Sequence, residues 1–207
     1  VTPDSFSDGG NFNCMDAALR HTEEMLAEGA DIIDIGGEST RPGHVQITDQ
    51  EEIDRVAPII EAVKARFDVP VSLDTYKSAV AEAGIAVGAD LINDIWGLKY
   101  DPKMADVIAK ADAACCLMHN RDNSDYGDFL SEWYQETAEC VELAKKAGIA
   151  DDRIILDPGV GFGKTYEQNL TTIKYMDDLK KLGYPLLLGT SRKSVIGLTL
   201  DTPVTDR

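Results

Sequence analysis

Short apolar runs alternate with amphipathic stretches along the whole chain. The runs are DIIDIGG (31–37), VPVSLDT (69–75), DLINDI (90–95), AACCLMH (113–119), RIILDPG (153–159) and YPLLLGTS (184–191). None exceeds eight residues, and Gly, Asp or Pro bounds each one, as expected for strands buried on both faces. Between them, residues 16–29, 48–66, 77–87, 129–148 and 170–182 repeat their apolar positions at three- and four-residue steps. In 129–148 the stripe is Leu130, Trp133, Tyr134, Thr137, Val141 and Ala144, with Gly148 placed to end the helix.

Strand, helix, strand, helix without interruption predicts a parallel α/β sheet in one domain spanning 1–207. Periodicity alone leaves open a doubly wound sheet or a closed (β/α)8 TIM barrel. The polar residues favour the barrel. Nearly every run ends in chemically costly groups: Glu38 to Arg41, Asp74, Asn93-Asp94, His119, Asp157 and Ser191 to Lys193. An open sheet builds its site at one crevice, whereas a barrel gathers residues from all its strand ends. Six runs cannot close such a barrel. A further strand is expected to end at Val1 and another to follow Arg207, so the barrel should be truncated at both ends.

Composition narrows the function classes. Hydrophobic residues make up 43% and charged residues 28%, as in ordinary globular proteins. The apolar runs are far too short to span a bilayer, and no secretory leader is visible at Val1. A net charge of −17 opposes nucleic acid and anionic membranes as partners. It leaves room for a small anionic substrate, because a few fixed cations dominate locally over screened distant charge. Cys14, Cys115, Cys116 and Cys140 lack metal or redox spacing, so buried free thiols in a reducing cytoplasm are expected.

Asp74, Asn93 and Asp157 stand out at strand ends. Any one could cap a helix, but three in one mouth suit a flat heterocycle with several N–H donors. In STRPG, Pro42 and Gly43 restrain Arg41 beside the hydroxyls of Ser39 and Thr40, a set suited to an anion although an exposed loop Arg is usually just solvated. SRKS places two cations at the start of a helix, where positive charge opposes the dipole. DPGVGFGKT (157–165) fails as a phosphate-binding P-loop because only three residues separate Gly159 from Gly163. It is read instead as a loop that lets backbone and Phe162 approach a ligand. Phe6, stranded in the polar opening loop, suggests a lid. His21, His44 and His119 have no metal spacing. His119 is read as structural and HNRDNSD (119–125) as a solvated loop.

Taken together, VTPDSFSDGG, DIIDIGGESTRPG, VPVSLDTYKSAVA, ADLINDIWG, IILDPGVGFGKT and LLLGTSRKSVIG, in this order from Val1 to Gly197, resemble the dihydropteroate synthase family. The resemblance implies a (β/α)8 barrel that joins 6-hydroxymethyl-7,8-dihydropterin diphosphate to p-aminobenzoate in folate biosynthesis, with Mg2+, and that sulfonamides target. It implies a pterin site of Asp74, Asn93, Asp157, Lys193, Met118 and Gly189. It assigns Thr40, Arg41, Pro42, Ser191, Phe6 and Phe162 to the aminobenzoate pocket and its loops, with Lys193, Arg41 and Asp74 nearest the chemistry. The family's metal-contacting Asn would precede Val1, so no metal ligand is assigned, and pairing of two barrels is implied as well. Two rivals share the Asp/Asn/Asp set: a methyltetrahydrofolate–corrinoid methyltransferase, which is not expected to carry STRPG or the SRK lysine, and a non-catalytic pterin-binding paralogue, which would be marked by loss of the loop residues.

Overall fold

The computed structural model describes residues 11–39 and 46–206, without the side chains of 11–14 and 204. Phe6, Thr40, Arg41 and Pro42 lie outside the described residues. Among the described residues, five strands form one parallel sheet: β1 (Ile33–Gly36), β2 (Val71–Asp74), β3 (Leu91–Asp94), β4 (Ala114–Met118) and β5 (Ile154–Asp157). Their spatial order equals their chain order. A doubly wound sheet would reverse direction after its first strands. Sequential winding with a helix between neighbours is the (β/α)8 pattern.

Seven helices accompany the strands among the described residues: α1 (Asn11–Ala27), α2 (Asp49–Arg66), α3 (Ser78–Ala86), α4 (Met104–Ala111), α5 (Phe129–Ala147), α6 (Tyr166–Tyr175) and α7 (Ser194–Leu200). Local chemistry sets their ends. Thr48 caps α2 by accepting from the Glu51 N–H, with Asp49, Glu51 and Glu52 in the first turn and Lys64 and Arg66 in the last, matching the helix dipole. Thr165 and Gln168 form a reciprocal capping box on α6. Gly148 ends α5 in a left-handed conformation, as its sequence predicts. On α5 the expected stripe is turned inward, with Trp133, Thr137, Val141 and Ala144 buried together with Cys140.

The sheet sorts residues by parity. Ile33, Ile35, Val71, Leu73, Ile92, Cys115, Leu117, Ile154 and Leu156 share a buried core with Ala18, Val56, Ile60, Val80, Ile108, Val141 and Ala144 of the surrounding helices. Each fully buried aliphatic side chain contributes about 1.5–3 kcal/mol, so this layer carries most of the stability. Because side chains alternate along a strand, the intervening positions face the other way. Among those positions are Asp34, Ser72, Asp74, Asn93, Cys116, Met118 and Asp157.

Three features depart from the sequence expectations. The run 184–191 pairs with β5 only through a parallel bridge between Leu156 and Leu186. Leu156 N–H donates to Pro185 O at 3.0 Å and Leu187 N–H to Leu156 O at 2.9 Å, but Pro185 has no N–H of its own with which to extend the ladder. The 170–182 pattern splits into the end of α6 and a 3-10 segment, Met176–Leu182. The short helix α4 escaped the periodicity, because only Met104 and Ile108 are buried over its eight residues, whereas α7 starts at SRKS, where a helix start was read. No helix among the described residues is long and apolar enough to cross a membrane.

Candidate active site

The parallel register aligns the polar positions into rows. Gly36 pairs with Asp74, Asp74 with Asn93, and Asn93 with Cys116. Two residues further along the same face of β4, Met118 pairs with Asp157. Asp74, Asn93, Met118 and Asp157 therefore share one face at the C-terminal ends of four adjacent strands. Gly189 joins them, since a Cβ at that position would stand 3.7 Å from Asp157 Oδ2. The sequence had also marked Asp94, but it faces away. Its carboxylate accepts from Trp96 N–H at 2.8 Å and Leu98 N–H at 2.7 Å, closing the turn after β3. Burial raises its pKa to about 6 against those donors.

The electrostatics of this face are acidic and crowded. Asp74 Oδ1 is buried and meets no hydrogen-bond donor among the described residues. Burial, then the charges of Asp34, Glu52 and Asp94, push the Asp74 carboxyl well above the usual range. Asp157 accepts from Gly159 N–H at 2.7 Å, yet burial still raises its pKa. Asp34, one row down from Asp74, was missed by the sequence reading. Its side chain reaches solvent, but crowding by protein atoms raises its pKa while bonds to Ser72 and Asn93 pull it down. The clue lay in IDIG, where one acid sits between two isoleucines that point to the core.

Lys193 reaches this face from the far end of the chain. Its Nζ donates to Val160 O and lies 4.3 Å from the centre of the Phe162 ring. Burial lowers its pKa and the nearby Asp157 raises it. Phe162 packs beside Met118, Tyr76, Ile95 and Trp96, forming an apolar wall next to the acids. Gly161 makes the approach of Lys193 possible. Its φ is +87°, and a Cβ there would come within 2.9 Å of Lys193 Cδ. Ser191 is exposed on the turn before α7, and the described residues do not draw it into the cluster.

The HNRDNSD segment is only in part the solvated loop expected: Asp122, Asn123 and Asp125 are exposed, but His119 and Arg121 are drawn into the protein. His119 is only 1% exposed and bonds Glu136 through Nε2 at 3.0 Å and Lys164 through Nδ1 at 2.9 Å. Arg121 binds Glu136 and Glu132 and covers the Tyr126 ring at 4.0 Å. Glu132 and Glu136 come from α5, a pairing of distant residues that no local pattern reveals. Burial, with Lys164 second, lowers the His119 pKa to about 3, which supports its structural role.

A second cluster flanks Asp74. Lys77 Nζ lies 2.7 Å from Glu38 Oε2 and 2.8 Å from Glu52 Oε2, and all three side chains are at most 5% exposed. Tyr76 O–H also donates to Glu38, Ile47 N–H does so at 3.0 Å, and Lys77 donates to Ile47 O at 2.8 Å. Burial raises the Glu52 pKa, whereas Lys77, Tyr76 and Ile47 outweigh burial and lower that of Glu38. Residues 38 and 47 are thus tied together across the span that contains Thr40, Arg41 and Pro42.

The model of the pterin-binding enzyme family matches residues 1–207. A dihydropteroate synthase of Clostridium beijerinckii is 59% identical over 206 residues, covering 100% of this chain and 77% of the relative. Among solved structures, one from Clostridium difficile, a dihydropteroate synthase in the presence of pteroic acid, superposes with TM-score 0.95 at 50% identity, over 100% of this chain and 79% of that one. A Xanthomonas albilineans dihydropteroate synthase with 4-aminobenzoic acid gives TM-score 0.92 at 41% identity, over 100% and 76% respectively. With its sequentially wound sheet, this chain belongs to the pterin-binding enzyme family, among the dihydropteroate synthases.

Proposed function

We propose that the acid-lined face joins 6-hydroxymethyl-7,8-dihydropterin diphosphate to p-aminobenzoate, releasing diphosphate, and that residues 1–207 act as one pterin-binding domain in the cytoplasm. The observation that carries this assignment is the buried Asp74 Oδ1 without a donor among the described residues, in register with Asn93. An unsatisfied buried acceptor is costly, and a ring presenting adjacent N–H groups would satisfy it. Asp74, Asn93 and Asp157 would hold the ring edge, while Met118 and Gly189 leave room for its flat faces.

The chemistry needs a departing diphosphate, an electron-poor methylene and an amine aimed at it. Carboxylates already crowded with negative charge favour a ring that gains positive character as the C–O bond breaks. Lys193, between Asp157 and Phe162, would bridge the ring and the aminobenzoate, with Ser191, Phe162 and Phe6 on the aminobenzoate side. Thr40, Arg41 and Pro42 would serve the anionic end. No strong nucleophile is required, since positioning and charge do the work.

Magnesium would arrive with the diphosphate. An ion held mainly through phosphate oxygens asks only one or two carboxylates of the protein. Among the described residues no group of three or more His, Cys, Asp or Glu could hold a metal by itself. When bound, the ion would neutralise diphosphate charge.

The test is diphosphate release with each substrate alone and with both. Release is expected to require both substrates and to be lost in Lys193→Ala. Asp74→Asn should weaken pterin diphosphate binding about 10- to 100-fold, the loss of a charge-assisted hydrogen bond. Turnover without aminobenzoate, or pterin affinity unchanged in Asp74→Asn, would refute the assignment.

A further inference from the structure

The DPGVGFGKT loop is held by its carbonyls. Lys164 Nζ donates to Gly159 O at 2.9 Å and to Phe162 O at 2.9 Å. Lys193 takes Val160 O between them, and Tyr126 O–H donates to Gly163 O at 2.9 Å. Four carbonyls within five residues are therefore captured by side chains from three different segments. A loop with three glycines of positive φ has little conformational preference of its own, so these bonds fix its shape together with those from Gly159 N–H to Asp157, Gly161 N–H to Asn169 and Phe162 N–H to Gly159 O.

The third N–H of Lys164 meets His119 Nδ1 at 2.9 Å. An ammonium has three donors and no acceptor, so Nδ1 accepts and the ring proton sits on Nε2, facing Glu136 Oε2 at 3.0 Å. Arg121 Nε holds both oxygens of Glu136 at 2.9 Å. Glu136 thus accepts from Arg121 on one side and from the neutral His119 ring on the other, and His119 accepts in turn from Lys164, which leads to the loop. Gly159 admits this arrangement. A Cβ there would lie 1.9 Å from His119 O and 3.0 Å from Lys164 Nζ.

We propose that Lys164 is a positioning residue for the aminobenzoate side of the reaction: its ammonium clamps Gly159 and Phe162 so that the Phe162 ring and the Val160 carbonyl hold Lys193 in place. The inference rests on the synthase reaction proposed above. Lys164 is not placed against either substrate; it acts through the loop. Two lysines grip one loop, one toward the reaction and one toward the barrel wall.

The clamp has its own acid–base signature. Burial brings the Lys164 pKa down to about 7, with Lys193 and Arg121 lowering it and Asp157 and Glu136 raising it. His119, held neutral, supplies the remaining facing group. As pH rises through about 7 the ammonium loses a proton, one of its three acceptors is released, and the loop loosens.

The experiment compares the wild-type chain with Lys164→Met, His119→Ala and His119→Gln. Hydrogen exchange of a peptide spanning 157–165 is read beside KM for p-aminobenzoate, the Kd for pterin diphosphate and the pH profile. Lys164→Met is expected to speed exchange in 157–165 and to raise KM for p-aminobenzoate about tenfold, with pterin Kd changed less than about threefold. The rise of that KM across pH 7 should vanish. His119→Ala should shift the same quantities less, which keeps the test open should Lys164→Met fail to fold. His119→Gln, which can accept from Lys164 and donate to Glu136, should restore wild-type behaviour. Unchanged exchange in Lys164→Met overturns the clamp. Faster exchange with unchanged aminobenzoate KM and an unaltered pH profile overturns its role in the reaction. If the wild type shows no release dependent on both substrates, the synthase assignment fails, while exchange still decides whether Lys164 orders the loop.

Discussion

Two glycines with nearly the same φ separate conformational strain from function. Gly148 has φ +92° and nothing within 4 Å of the point where a methyl would stand, whereas Gly161 has φ +87° and would place that methyl 2.9 Å from Lys193 Cδ. Alanine at either site incurs the left-handed penalty, about 1–2 kcal/mol. Only Gly161→Ala also displaces the lysine stem. We expect both variants to lower Tm by similar amounts, and Gly161→Ala alone to reduce kcat/KM by about tenfold or more in the diphosphate-release assay. Equal activity in the two variants would show that Lys193 does not need its observed position.

Among the elements, the Glu38–Lys77–Glu52 cluster joins the segment after β1, the segment after β2 and the first turn of α2. Its energetics are those of a buried charge set: modest net stabilisation when complete, large loss when broken. Lys77→Met leaves two carboxylates buried beside each other without their cation, and should cost about 3–5 kcal/mol in chemical denaturation. Lys77→Met/Glu52→Gln should recover part of that loss, since one of the stranded charges is gone. A loss below about 1 kcal/mol would mean that water reaches the cluster and screens it. The capping box of α6 and the Thr48 cap of α2 are local devices by comparison, legible from a few neighbouring letters.

Across the molecule, what the sequence revealed depended on the range of the interaction. Their place at the ends of short apolar runs singled out Asp74 and Asn93, because the end of a strand is a local property of the sequence. The 129–148 stripe mapped onto α5 for the same reason. Lys164 with His119, Arg121 with Glu136, and Lys77 with Glu38 were illegible because each joins residues brought together only by the winding of the barrel. The sixth run keeps a single bridge to β5, and Pro185, a local signal that its apolar letters masked, ends the ladder on one side of it. The same winding seals Cys115, Cys116 and Cys140 inside as free thiols, with burial lifting Cys115 and Cys140 to about 12 and Cys116 likewise upward. Such thiols are silent toward a disulfide reagent while the sheet and its helices stay packed. In a Cys14→Ala background they become a built-in clock. Labelling near pH 8 should be slow, should accelerate with mild denaturant, and should slow again when both substrates are bound. Prompt labelling of the untreated chain would place at least one of the three thiols within solvent's reach. Otherwise each modified sulfur records one opening of the packed sheet and helices, and the chain keeps that tally with its own three thiols.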